Sequence, residues 1–136
     1  MSTTIFESTS PLINDRFINS YIAGENLAPG SLVEMTADWT VKKVRTQSSF
    51  KVVGITLTNA VAGRMVSVVG RGQCRVIVWG TTLVYGDQFG SGGAGDTLGT
   101  VSAGTAIQDN ASKNSSILGN VVQGGVSGGT AIVNLW

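Results

Sequence analysis

Apolar and polar residues alternate along most of this chain with a period of two, the spacing that sets one face of a β-strand on a core and the other in water. The predicted strands run over 17–23, 31–36, 40–44, 50–57, 65–69, 73–79, 117–122 and 130–135, and all are rich in Val, Ile, Thr or aromatic residues. Within 73–79, Arg75, Ile77 and Trp79 fall on one face, and Cys74, Val76 and Val78 on the other. Gly, Asn or Asp punctuates nearly every boundary, as tight turns require. No long segment carries the helical apolar spacing of about 3.6 residues. Residues 59–62 offer at most one helical turn ahead of Gly63. The stretch 90–99 (GSGGAGDTLG) reads as a flexible loop, and Gly70-x-Gly72 as a turn.

The pattern repeats. Residues 52–63 align with 117–128, so that Gly54 matches Gly119, Val61 matches Val126 and Gly63 matches Gly128. Beyond them Val66 and Val68 match Ala131 and Val133. Upstream, Gly24-x-x-Leu27-x-x-Gly30 resembles Gly80-x-x-Leu83-x-x-Gly86. Each half therefore has a turn with an apolar plug, a strand, a glycine-bearing strand, a short connection and a further strand. A unit of this kind cannot bury its apolar face alone. The expectation is an all-β fold, a compact barrel or sandwich of short strands, with two pseudo-equivalent halves at about 20–72 and 76–136 facing each other. Residues 17–136 form a single domain, and residues 1–16 precede it as an arm.

Composition narrows the function classes. The chain has 136 residues, enough for one domain with a substantial core. Charged residues make up 12% of it, about half the usual ~25%, and the net charge is +1. A clustered basic face for nucleic acid is therefore not expected. No apolar run approaches the ~20 residues of a membrane helix, and 1–17 lacks the charged and apolar regions of a secretory signal. The expected place of synthesis is a cytoplasm. The single Cys74 excludes an internal disulfide and is expected in the core. There is no His, which removes the commonest general base and the commonest transition-metal ligand. The eight carboxylates are scattered, most of them in predicted turns, and Asp87 is expected to satisfy turn amides. Neither glycine cluster leads into a helix, so neither is read as a phosphate loop. No catalytic residue, metal site, cofactor or small-molecule substrate is expected. Lys42, Lys43, Arg45 and Lys51 gather around a turn, as a solvated hairpin end or as a contact for an acidic partner. Trp79 and Trp136 end predicted strands, where aromatic residues plug barrels. Trp136 suits an oligomer interface equally well, since Trp is enriched there.

The arm is Ser/Thr-rich, with apolar anchors at Ile5, Phe6, Leu12 and Ile13 beside Pro11. Such anchors have nothing of their own to bury them, so the segment reads as a frayed terminus or as one that orders on a partner. The motifs Ala23-Gly-x-x-Leu27-x-x-Gly30-x-x-Val33, Val53-Gly-Ile55, Ala60-x-x-Gly63-x-x-Val66-x-Val68 and Gly86-Asp87 resemble those of phage capsid decoration (cement) proteins of the DUF2190-like family. The likeness is good over about 20–90 and looser elsewhere, and it consists of turn and strand patterns. It implies a β-rich structural protein on the exterior of an icosahedral virion head, bound to the major capsid protein and assembled as a homotrimer. By position, it implies a capsid-binding arm comprising Thr3, Thr4, Ile5, Phe6, Pro11, Leu12 and Ile13. An extended polar segment suits that role, because it adds a strand to an exposed sheet edge through main-chain hydrogen bonds.

Four classes follow, in order. Capsid cement is first, because many weak contacts to a lattice sum to large avidity. Another virion part is second: a head fibre base, a tail-tube-associated protein or a receptor-binding knob. A carbohydrate-binding or scaffold module of a bacterial protein is third, and would usually carry a leader and a row of exposed aromatics. An enzyme is last.

Overall fold

The computed structural model describes residues 17–45, 51–79, 82–91, 104–108 and 117–136. Among them are nine strands and no helix: β1 Phe17–Ala23, β2 Leu32–Ala37, β3 Thr40–Lys43, β4 Val52–Thr56, β5 Met65–Ile77, β6 Gln88–Ser91, β7 Ala106–Gln108, β8 Gly119–Gln123 and β9 Thr130–Leu135. They run in the order β1-β3-β2-β4-β5-β9-β8-β6-β7, and β1 also pairs with β5. That extra pairing closes β1, β3, β2, β4 and the first half of β5 into a five-stranded barrel. The second half of β5 continues into another ring through β9, β8, β6 and β7. A parallel bridge between Val78 and Ala106 closes it.

The two rings match position by position. Leu32↔Ile55 in the first ring corresponds to Gln88↔Asn120 in the second, and Ile55↔Val69 to Asn120↔Asn134. The plug residues behave alike, Leu27 bridging Ala60 and Leu83 bridging Gly125. Gly30 and Gly86 share a φ of 85°, and Gly63 and Gly128 lie at 87° and 88°. Contrary to the expectation, the two copies do not face each other across one shared barrel. Each closes its own ring, and the 13-residue β5 belongs to both. Gly70-x-Gly72 is accordingly no turn but the middle of β5. Its first half pairs with β1 up to Arg71, and its second half pairs with β9 from Gly72. Gly70 sits there because a Cβ would press to 3.3 Å from the Val53 carbonyl oxygen. A strand glycine marking close backbone approach looks, in sequence, like a break.

Two further readings change. Gly90 and Ser91, assigned to a loop, belong to β6 and pair with Ile107 and Ala106. Residues 92–99 lie outside the described residues. Residues 59–62 form no helical turn: Ala60 exchanges backbone hydrogen bonds with Leu27 at 2.8 and 3.0 Å, and Val61 opens a tight turn closed by the Arg64 N–H on its carbonyl at 3.1 Å.

The core explains the rings. Ala23, Leu27, Val33, Val41, Val66 and Val68 fill the first. Their counterparts Val78, Leu83, Phe89, Ala106, Ala131 and Val133 all lie in the other core cluster. That cluster also takes in Leu32, Ile55 and Val69, which alternate with the lumen residues and so point out of the first ring. All three are fully buried, each worth about 2 kcal/mol or more of apolar transfer, and they tie one ring to the other. The equivalent outward positions of the second ring are polar. Gln73, Asn134, Asn120 and Gln88 stand directly opposite one another across β5, β9, β8 and β6. All four are half-buried, and Asn120 Oδ1 is buried without accepting a hydrogen bond from a described group.

Candidate interaction surface

The anchor residues Thr3, Thr4, Ile5, Phe6, Pro11, Leu12 and Ile13 lie outside the described residues. Trp136 follows β9, its backbone N–H donating to the Leu118 carbonyl at 3.1 Å, and its side chain is 60% exposed. Trp79 is 40% exposed. Neither Trp plugs a barrel. Leu27 and Leu83, both buried, take the plug positions, because they sit on the turns that fold back over each lumen.

The basic cluster divides. Arg45 grips both Glu25 carboxylate oxygens, at 2.8 and 2.7 Å, and the Lys43 backbone N–H donates to Glu25 Oε2 at 2.8 Å. The Arg45 hydrogen bonds hold the Glu25 carboxyl below its ordinary range, against partial burial, which pushes the other way. This pair fastens the loop after β1 to the end of β3. Lys42 runs its methylenes past Gly24, where a Cβ would come within 2.9 Å of Lys42 Cγ. Asp87 accepts the Val84 backbone N–H at 2.9 Å, the turn role its position suggests. Cys74 is buried in the second ring. Among the described residues no three His, Cys, Asp or Glu side chains gather as a metal site. No helix among them is long and apolar enough to cross a membrane.

Exposed apolar residues lie both on turns and on strands. Val61 and Val126 are exposed at equivalent positions, and Val84 and Tyr85 project from the second plug turn, Tyr85 at 75%. In the first ring the matching turn carries Ala28 and Pro29, which line a groove of about 720 Å³ with Asn59, Val61, Arg64 and Met65. On the face of β1, Phe17 and Ile18 are exposed, and Arg71 lies over the Phe17 ring at 5.6 Å. Side-chain alternation does not single them out, because Val61, Val84, Tyr85 and Val126 lie in turns and Phe17 and Ile18 at the start of a strand. For one pair the repeat supplies a signal, since Val61 and Val126 align between the two halves.

No family model matches the chain, and no curated protein does, so the family resemblance rests on its motif positions alone. Among solved structures the fold has a clear likeness. The crystal structure of the head fibre gp8.5 N base in bacteriophage phi29 superposes with a TM-score of 0.63 at 15% identity, covering 90% of this chain and 95% of that one. At that identity the likeness is one of fold, and the chain shares the all-β architecture of a phage head fibre base.

Proposed function

We propose that this chain is a structural protein of a phage virion, mounted on the outside of the head, where it adheres and braces without transforming a substrate. The observation that carries the reading is the end-to-end likeness to a head fibre base, with nearly the whole of both chains superposed. Two independent features support it. The surface is poor in charge and bears exposed apolar turns, as an adhesive protein needs. The chain has no His, and its described carboxylates include Glu25 and Asp87 in structural hydrogen bonds.

Two placements on the head remain distinct. The fold favours the base of a head fibre. The motif positions favour a cement protein bound to the major capsid protein as a homotrimer. In both, residues 2–13 serve as the arm that reaches the shell. Heads lacking the protein, mixed with the purified chain and imaged by electron microscopy, separate the two. A fibre base gives discrete projections at selected sites, and a cement protein gives regular knobs over the lattice with heads that survive higher temperature. Failure of the chain to bind heads at all sinks both. Deleting residues 2–13 is expected to leave the melting curve unchanged and to abolish head binding. Light scattering of the free protein tests the trimer.

A further inference from the structure

The mouth of the first ring holds a small cup. Tyr21, Met35, Asp38, Trp39 and Val53 line about 380 Å³. Tyr21, Met35 and Val53 pack on the lumen core beneath, so the floor is fixed. Trp39 stands beside Tyr21, with ring centroids 6.3 Å apart and planes tilted by 38°. It occupies the β2–β3 hairpin at a φ of 57° and is the one non-glycine residue with positive φ among those described. Gly or Asn is the usual residue there, and a bulky side chain is strained. The strain brings little packing in return, since Trp39 is 67% exposed. Its backbone is nonetheless pinned. The Ile22 N–H donates to the Trp39 carbonyl at 2.6 Å, and Thr40 Oγ1 donates to the Asp38 carbonyl at 3.0 Å. A strained, exposed aromatic on a rigid hairpin is the kind of outlier that function retains. The scaffold does not demand it either. The positions equivalent to Tyr21, Met35 and Val53 in the second ring are Val76, Ser91 and Leu118.

The lining selects the ligand class. Two aromatic faces, a thioether, a valine and a single carboxylate repel anions and leave most hydroxyls of a sugar without partners. A cation with an apolar shell fits: ring quadrupoles and the carboxylate attract the charge, and Met35 and Val53 cover the alkyl portion. We propose that this cup binds an alkylammonium group, with Trp39 and Tyr21 supplying cation–π contacts and Asp38 the counter-charge.

The test is a titration of the full chain with choline, with butylammonium, and with 3,3-dimethylbutanol, which has the shape of choline without its charge. The Trp39 indole N–H signal is followed by NMR and assigned from the Trp39→Gly spectrum. Saturable shifts with one or both ammonium ions are expected, with the alcohol roughly tenfold weaker. Asp38→Asn should weaken binding several-fold, and Trp39→Gly, followed through the backbone amide signals of Tyr21 and Val53 because it lacks the indole, should abolish it while the dispersed β-sheet signals persist. The idea is overturned if the alcohol binds as tightly as choline. It is also overturned if Trp39→Gly leaves binding intact, or if no shift appears at about 100 mM, where even a millimolar site is filled.

Discussion

Gly54 and Gly119 are where a single added carbon does most damage. They occupy equivalent places in the two rings, opposite Val33 and Phe89. A Cβ on Gly54 would sit 2.0 Å from the Val69 carbonyl oxygen, and one on Gly119 would sit 1.9 Å from that of Asn134. Both oxygens belong to strand backbones that cannot yield without disturbing their ladders. Gly54→Ala and Gly119→Ala should each lower stability by at least about 2 kcal/mol in denaturant melts. Gly86→Ala, at a φ of 85° with open space around it, should cost only about 1 kcal/mol. A loss at Gly119, whose φ is not positive, no larger than that at Gly86 would mean that crowding is not what makes glycine necessary there. The alignment of Gly54 with Gly119 was legible in the sequence. The crowding was not, because the colliding oxygen lies 15 residues away in each case.

At the scale of elements, strand existence followed from side-chain alternation. β1 and β9 begin and end where the pattern placed them. β6 and β7 escaped notice because Gln88–Ser91 and Ala106–Gln108 are short and carry Gly, Ser and Gln where strands usually carry branched residues. They exist because the ring around Phe89 needs closing, which is a tertiary demand. The basic cluster was legible as a cluster but not as a clamp, since Glu25 and Arg45 meet only once β1 and β3 pair. Because Arg45 holds the Glu25 carboxyl below its ordinary value, the folded state releases that proton more readily than the unfolded one. The pair thus adds stability above the unfolded value of about 4.3, and loses it as pH falls through the lower folded value. Both side chains are partly solvated, so the contribution should be under about 1 kcal/mol. Glu25→Gln should flatten the acid limb of a stability-against-pH curve by that amount and leave neutral-pH binding to heads unchanged. An identical acid limb in the variant would remove the clamp from the account.

At the scale of the whole molecule, the decisive fact is that β5 belongs to both rings. Neither ring can open without exposing a strand the other uses, and Leu32, Ile55 and Val69 of one lie in the core of the other. Scanning calorimetry should therefore show one transition, with calorimetric and van't Hoff enthalpies agreeing. For 136 residues the enthalpy near 60 °C should be about 90 kcal/mol. Two resolved peaks would show that the rings are separable bodies joined by a mere tether.

The row of Gln73, Asn134, Asn120 and Gln88 has a consequence for growth. Of its first-ring equivalents, Val69, Ile55 and Leu32 glue one ring to the next, and the fourth, Ile18, is exposed. With amides in their place the series halts at two, as end units of repeat architectures do when they turn a hydrophilic side outward. Restoring the greasy version through Asn120→Ile, Asn134→Val and Gln88→Leu should make the far end sticky, and sedimentation should reveal concentration-dependent multimers. A variant that sediments like the parent would mean that something other than this row of amides sets the limit on length.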